Sequence, residues 1–199
     1  MEKKMERRTF TLDEIRIDAA GDDKPLRIVG HAAVFDSLSD DLGGFREKIA
    51  PGAFAKTLGG DVRALFNHDP NFVLGRTRAK TLRIAEDAKG LAVEIDPPDT
   101  AMAQAVIEAL RRGDVSEMSF SFRTIKDSFD RDGDEIIRTL EEVELFDVSP
   151  VTFSAYPQTD VAVRSFDAWR ANAEAEAAAS KTTPKRDMMR ARTMQARAG

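Results

Sequence analysis

The chain has 199 residues, of which 42% are apolar and 33% charged, with a formal net charge of −5 and no cysteine. This length and composition predict one soluble globular domain with room for a tail, and no apolar run approaches the roughly 18–20 residues that a membrane span needs. The lack of cysteine excludes disulfides, thiolate zinc sites and a cysteine nucleophile, while the negative charge argues mildly against nucleic acid as the partner of the whole protein.

The first part of the chain favours strands. Residues 1–8 are charged and lack the apolar segment of a secretory signal, which indicates synthesis in the cytoplasm. Apolar residues nearly alternate over 10–17, and an apolar run follows over 26–35. The turn-rich residues 21–25 lie between them, so we expect two strands joined as a hairpin.

A short helix and several short strands are predicted next. Pro51 opens the helix, and Gly59-Gly60 ends it. Residues 62–68 form a strand that runs into the turn signal Asp69-Pro70-Asn71, which places His68 at a strand end, where functional groups are often presented. Further short antiparallel strands are expected over 72–75, 81–85 and 91–95.

The apolar period then changes to that of a helix. Met102, Val106, Ile107 and Leu110 share one helical face. Asp99 or Thr100 is the expected N-cap and Gly113 the C-cap, so a helix is predicted between them.

The segment 115–123 is the one around which we expect the rest to be organised. In an extended conformation Phe120 and Phe122 lie on one side, which leaves Ser119, Ser121 and Arg123 together on the other. One face then packs in the core and the other presents a row of polar groups.

A hairpin is predicted from residues 125–129 and 136–148, which flank the turn at 130–134. The same residues invite a calcium-loop interpretation, with Asp130, Asp132, Asp134 and Glu141 at ligand positions. We reject calcium because Glu135 occupies the position that needs Gly and because the flanks favour strand. No metal and no cofactor is expected.

The C-terminal part divides near Trp169. Residues 149–157 favour a last strand, so we expect a domain over 1–169 and a basic low-complexity tail over 170–199. The tail holds seven Lys or Arg against three Asp or Glu, which gives it +4 and leaves −9 on the domain. Its Ala-rich start suits a helix, and the part from Lys181 onward is expected to be disordered.

Hydrolysis by a serine needs a hydroxyl, a base within hydrogen-bond reach and a third group that orients the base. His68, Ser119 and an acid between residues 144 and 147 would supply all three from strands. His31, the only other histidine, lies mid-strand and is more easily read as a packed or edge-strand residue. Spacing alone permits this site without requiring it.

Six blocks carry a resemblance to a known family. The blocks are Gly30-His31-Ala32-Ala33-Val34-Phe35, Glu47-Lys48-Ile49-Ala50-Pro51-Gly52-Ala53-Phe54, Val62-Arg63-Ala64-Leu65-Phe66-Asn67-His68-Asp69, Leu74-Gly75-Arg76-Thr77, Glu117-Met118-Ser119-Phe120-Ser121-Phe122 and Asp147-Val148-Ser149-Pro150-Val151-Thr152. They closely resemble, in order, those of the prohead serine proteases of tailed double-stranded DNA phages, and the resemblance covers roughly residues 10 to 165.

The resemblance implies a capsid-maturation endopeptidase, packaged in the immature prohead in the host cytoplasm. Such an enzyme cuts the scaffold, or the scaffolding region of the major capsid protein, and finally itself, with a homodimer as a further expectation. The family is similar to the herpesvirus assembly proteases, which implies a mainly β (α+β) fold, a compact barrel of short antiparallel strands with a few flanking helices.

The resemblance also implies roles for single residues. His68 matches the catalytic histidine and Ser119 the nucleophile. For the third member Asp147 is preferred and Glu144 is the alternative, since no histidine follows Ser119. Ser154 stands where these proteins commonly have proline, which should alter a turn rather than the chemistry.

Other interpretations stay open at this stage. Arg123 and Arg138 are alternative charge stabilisers near the site, although both fit solvated strand positions. A non-enzymatic scaffolding or capsid-associated β protein is the competing function. A nucleic-acid binding module rests on the basic tail alone and is weak, because no aromatic residues lie between its charges.

Overall fold

A computed structural model describes residues 5–11, 16–19, 26–153 and 160–182. Ten strands and two helices lie in these ranges. In chain order they are β1 Glu6–Thr11, β2 Arg16–Ala19, β3 Leu26–Val34, β4 Arg46–Ile49, β5 Arg63–Phe66, β6 Asp69–Arg76, β7 Leu82–Glu86, β8 Gly90–Ile95, α1 Ala101–Arg112, β9 Glu117–Asp132, β10 Glu135–Val151 and α2 Asp160–Thr182.

The strands form two sheets around one core. The larger sheet has the order β1-β9-β10-β5-β6, and β4 also pairs with β10. The smaller sheet has the order β2-β3-β8-β7. Buried apolar side chains from both sheets and from α1 pack together, with Phe120, Phe122, Ile28, Ile95 and Ile107 among them. The prediction of a mainly β fold with a few helices is confirmed.

The closed barrel expected from the resemblance is not what the described residues form. The outer strands of the larger sheet are β1 and β6, and no pairing joins either of them to the smaller sheet in the described ranges. Closing a barrel requires such edge-to-edge pairing, so the barrel prediction is wrong for this part of the chain. The likeness to the herpesvirus assembly proteases stays a prediction.

The N-terminal hairpin is only partly as predicted. Strand β2 pairs antiparallel with β3, with Ile17 opposite Ile28. Strand β1, however, pairs antiparallel with β9, where Thr9 lies opposite Ser119. The alternating segment is therefore two strands in two sheets, and the first of them borders the predicted nucleophile.

The prediction of a short helix that begins at Pro51 is wrong. Residues 51–59 are turns, held by bonds three residues apart such as those from the Ala53 N–H to the Ala50 carbonyl and from the Thr57 N–H to the Phe54 carbonyl. Gly52 has a φ of 90°, outside the helical range, and this interrupts a helix at its start. Phe54 is nevertheless fully buried.

Helix α1 matches its prediction. The Thr100 side chain accepts a hydrogen bond from the Ala103 N–H, and Gly113 ends the helix in the left-handed conformation with a φ of 79°. The apolar face is buried, including Val106, Ile107 and Leu110.

Strands β9 and β10 form one long antiparallel hairpin. The predicted strand around Ser119 and the first strand of the predicted hairpin are continuous in β9, which has 16 residues. The turn is narrower than predicted and lies at Gly133-Asp134. Strands on both sides contradict a helix-flanked calcium loop, and no group of three or more potential metal ligands occurs among the described residues.

Helix α2 crosses the predicted domain boundary. Its side chains Phe166 and Trp169 pack with Phe45 and Phe129, with ring centroids 5.1 Å apart for Phe45–Phe166 and 5.7 Å apart for Phe129–Trp169. From Arg170 on, the described side chains of α2 are mostly exposed. Disorder was expected from Lys181 onward, whereas α2 extends to Thr182. Residues 183–199, on which the rest of that prediction falls, and Ser154 lie outside the described residues. Neither helix, over the part described, is long and apolar enough to cross a membrane.

A buried network of charged side chains ties β1 to the middle of the larger sheet. Arg138 is fully buried and donates to Glu6 at 3.0 Å, Glu47 at 2.8 Å and Asp127 at 2.8 Å. Arg8 donates to the same Glu6 at 3.0 Å and to Glu47 at 2.6 Å. Buried charges are tolerated because each is paired and hydrogen-bonded. The network therefore holds β1 in register beside β9.

Candidate functional site

Two neighbouring strands supply a square of polar side chains. In the β9–β10 ladder Ser119 lies opposite Ser149, and Ser121 lies opposite Asp147. Side chains two residues apart share one face of a strand. All four groups therefore point to the same side of the sheet, opposite the buried Phe120.

A β-bulge sets the orientation of Asp147. The register of β10 against β9 shifts between Leu145 and Asp147. In a regular strand, residues 144 and 147 lie on opposite faces. The extra residue of a bulge shifts this alternation, so the residues after it point to the other face. Asp147 faces the polar square, whereas Glu144 pairs with Arg123 at a partly exposed position.

His68 reaches this square from a tight turn. Asn67 and His68 are the two residues between β5 and β6, and their φ values are 54° and 57°. Positive φ at both central residues is the feature of a type I′ turn, for which Asn is favoured at the first position. The sequence placed His68 at a strand end, and the structure places it in the turn directly after that end.

The imidazole of His68 bridges the serine and the acid. Its Nε2 lies 2.7 Å from the Ser119 Oγ, and its Nδ1 lies 2.5 Å from the Asp147 Oδ1. The three residues named from the sequence as Ser119, His68 and Asp147 are thus brought together in one hydrogen-bonded line. With Asp147 ionised, the proton belongs on Nδ1, which leaves Nε2 as an acceptor.

The Ser119 hydroxyl is fully buried, although the sequence predicted it on the face of the strand that does not pack in the core. Strand β1 runs along this edge of β9, and the Ser119 Oγ donates a hydrogen bond to the Arg8 carbonyl at 2.9 Å. The hydroxyl proton therefore has two acceptors, the Arg8 carbonyl and His68 Nε2. A peptide cannot contact Ser119 in this closed arrangement.

Asp147 is kept ionised by its neighbours. Burial opposes ionisation, but hydrogen bonds from His68, Ser121 and Ser149 outweigh it and hold the pKa of Asp147 below its ordinary value. The Ser149 Oγ donates to the Asp147 Oδ1 at 2.8 Å. The Ser121 Oγ lies 3.1 Å from His68 Nδ1 and accepts from Arg7 at 3.3 Å.

The remaining candidates lie elsewhere. His31 is in the smaller sheet, where its Nε2 lies 2.8 Å from the Asp87 Oδ2. Arg123 pairs with Glu144, and Arg138 is locked in the buried network described above. Among the described residues, neither arginine contacts the His68 imidazole.

Sequence reasoning assigned no role to Ser121, Ser149 or Asn67, which all support the site. A signal was present for the two serines, since Ser119 and Ser121, like Asp147 and Ser149, are two residues apart and share a strand face. Asn67 had a weaker signal, its place just before His68 at a turn.

A serine hydroxyl, an imidazole and a carboxylate in one hydrogen-bonded line, carried by a scaffold of strands, are the arrangement found in serine hydrolases. The model of the caudovirus prohead serine protease family matches residues 12–172. The chain therefore belongs to the caudovirus prohead serine protease family, a family of bacteriophage capsid-maturation proteases, as the resemblance implied.

The fold has a counterpart among solved structures. The capsid assembly protease gp21 of bacteriophage T4 is similar with a TM-score of 0.51 and 12% sequence identity, over 76% of this chain and 98% of that one. At this identity the likeness concerns the fold. No curated protein sequence matches the chain.

Proposed function

We propose that this chain is a serine endopeptidase that cuts the scaffold, or the scaffolding region of the major capsid protein, and itself during head assembly. The observation that carries the proposal is the line from Asp147 through His68 to Ser119, with contacts of 2.5 and 2.7 Å. These are the distances at which a base takes a proton from a nucleophile. Membership of the prohead serine protease family supports the same function.

The proposed reaction begins at the Ser119 hydroxyl. The Ser119 Oγ attacks the carbonyl carbon of the scissile peptide while its proton passes to His68 Nε2. Collapse of the tetrahedral intermediate breaks the C–N bond, and His68 gives the proton to the leaving amine. Water then hydrolyses the acyl-enzyme by the same steps, which regenerates the hydroxyl. Asp147 holds the imidazole and stabilises its cationic form, and no metal or cofactor takes part.

Catalysis also requires the closed site to open. Ser119 is fully buried, and the Arg8 carbonyl competes with His68 Nε2 for its hydroxyl proton. Substrate binding must expose Ser119 and let its hydroxyl turn to His68. We propose that this happens inside the prohead in the host cell, where scaffold, capsid protein and further copies of the chain are concentrated and where a homodimer would form.

The function is tested by co-expressing the full chain with the major capsid protein and scaffold of the same phage. Mass spectrometry of the products should show new termini in scaffold or capsid protein and shortening of the protease itself. A fully intact set of proteins would overturn the proposal and favour a non-enzymatic capsid-associated role.

We also propose that the segment after Trp169 is a detachable tail that recruits the enzyme into the prohead. Phe166 and Trp169 pack on the hairpin through Phe45 and Phe129, whereas the described side chains that follow are mostly exposed. The tail charge of +4 opposes the −9 of residues 1–169. Such an exposed helix suits docking on a partner.

Truncation after Trp169 should leave cleavage of a supplied capsid substrate within about twofold of the full chain, because the aromatic contacts of Phe166 and Trp169 remain. Packaging into proheads, measured by quantitative immunoblotting of purified particles, should fall. A truncated chain that loses solution activity would show instead that the tail completes the fold.

A further inference from the structure

The turn that carries His68 is strained and needs support. A left-handed backbone costs roughly 1–2 kcal/mol for most residues, whereas Asn tolerates it better. His68 has a φ of 57° and lies directly after Asn67, whose φ is 54°. The imidazole is held by Asp147 and Ser119, and the backbone from which it extends is held by the contacts of the turn.

Asn67 provides that anchor through three hydrogen bonds, one to Pro150 near the end of β10 and two to Thr152, which directly follows that strand. Its backbone N–H donates to the Pro150 carbonyl at 3.0 Å, and its Nδ2 donates to the Thr152 Oγ1 at 3.2 Å. The Thr152 N–H donates back to the Asn67 Oδ1 at 2.8 Å. We call this set the Asn67 clamp. It ties the turn of His68 to the strand that carries Asp147.

We propose that Asn67 is a positioning residue for catalysis, which sets the place of the His68 imidazole between Asp147 and Ser119 without touching substrate. The inference rests on the proposed function. Strand β10 holds Asp147, and its ladder with β9 holds Ser119 opposite Ser149. The clamp therefore fixes the position of His68 relative to both Asp147 and Ser119 through the β9–β10 strand pair.

The clamp should affect rate more than stability. Asn67 and Thr152 are exposed, so water can replace their lost hydrogen bonds. The contacts of His68 are short, and a displacement of about 1 Å in a catalytic group can lower the rate about 10²-fold. A merely structural role would show the opposite balance, a lower melting temperature with an unchanged kcat.

The test uses three variants. Asn67→Gly keeps the left-handed turn, which glycine adopts freely, and removes both side-chain bonds. Asn67→Asp keeps the acceptor for the Thr152 N–H. Asn71→Ala is the matched control, because Asn71 lies on the same hairpin but its side chain donates to Asp69 at 2.9 Å.

Asn67→Gly should lower kcat about 100-fold with KM and melting temperature little changed. Asn67→Asp should recover most of that loss, and Asn71→Ala should behave as the wild type. A kcat for Asn67→Gly equal to that of the wild type would overturn the proposal, as would equal losses in all three variants.

A second readout needs no activity. The chain has two histidines, so the imidazole NMR signals of His68 can be assigned by comparison with His31→Ala. In an uncleaved Ser119→Ala background, the downfield Nδ1 proton of His68 should be lost with Asn67→Gly and kept with Asn67→Asp. If that pattern appears while the wild type cleaves nothing, the positioning inference stands and the proposed function fails. An unchanged resonance in Asn67→Gly would overturn the inference.

Discussion

Alanine at Ser119 or at His68 should reduce peptide cleavage by about 10⁴- to 10⁶-fold, to the same residual level, because members of such a triad act as a unit. Ser119→Ala removes the proposed nucleophile, and His68→Ala removes the proposed base, whose Nε2 lies 2.7 Å from the Ser119 Oγ. Initial rates on a capsid-derived substrate, followed by mass spectrometry, measure the loss. Both variants should unfold cooperatively, which circular dichroism checks.

His31→Ala is the matched control for the base. His31 lies in the smaller sheet beside Asp87, where its Nε2–Oδ2 distance is 2.8 Å. The variant should retain most activity because no contact links His31 to Ser119 in the described residues. Undiminished cleavage by Ser119→Ala would contradict the nucleophile assignment, and exchanged behaviour of the two histidine variants would show that the wrong base was chosen.

The third member is part of the same prediction. Asp147→Asn should lower kcat about 10⁴-fold, because an amide can stabilise the wrong tautomer of His68. Glu144→Gln should change kcat little, since Glu144 pairs with Arg123. The pKa of Asp147 is held below its ordinary value, so activity should not decline through protonation of Asp147 until the pH falls below the usual range of an Asp carboxyl. The reverse order of Asp147→Asn and Glu144→Gln would make Glu144 the orienting acid.

The sequence predicted which segments form strands better than it predicted which strands pair with each other. Alternation reports which face of a strand is buried, but it does not report the neighbour in the sheet. This is why residues 10–17 were read as one strand, whereas β1 joins β9 and β2 joins β3. Helix α1 was predicted with its caps because its determinants, Thr100 and Gly113, are local.

Turns were harder because the same residues suit two conformations. Proline fits both the first turn of a helix and the second position of a β-turn. The choice at Pro51 is made by Gly52, whose φ of 90° is incompatible with a helix. A backbone angle of this kind leaves no trace in hydrophobic periodicity.

In the site too, features that depend on local sequence were predicted and features that depend on distant contacts were not. Ser119, His68 and Asp147 were named from short motifs, and the structure brings their side chains together. The bulge before Asp147 and the Asn67 clamp could not be predicted, because both depend on contacts between segments distant in sequence. Burial of Ser119 has the same origin, since the covering strand β1 comes from the N-terminal part of the chain.

Arg138→Ala should destabilise the fold by about 3–5 kcal/mol at pH 7, the usual cost of removing one partner of a buried ion pair. Arg138 is fully buried and donates to Glu6, Glu47 and Asp127. Its removal leaves Glu6 and Glu47, both nearly fully buried, with Arg8 as their remaining cation in the network. Urea unfolding in the Ser119→Ala background, which prevents self-cleavage, measures the change.

Arg123→Ala is the matched control, because it breaks an arginine–carboxylate pair on the same hairpin. The side chains of Arg123 and Glu144 are 36% and 42% exposed, so water screens their attraction. The expected cost is below about 1 kcal/mol. A cost for Arg138→Ala no larger than that of Arg123→Ala would contradict the role given to the buried network.

The pH dependence of the stability loss in Arg138→Ala tests whether unpaired buried charge causes it. Burial opposes ionisation of Glu6, but the charges of Arg138 and Arg8 outweigh it and hold the pKa of Glu6 below its ordinary value. A carboxyl with a lowered folded-state pKa adds stability above its unfolded pKa, and this stability is lost as the pH falls through the folded pKa. Without Arg138, burial of Glu6 is less compensated and its pKa rises. The stability difference between wild type and Arg138→Ala should therefore shrink as the pH is lowered from 7 to about 4, where carboxyl groups begin to protonate. A difference that stays constant over this range would show that lost packing, rather than unpaired charge, destabilises the variant.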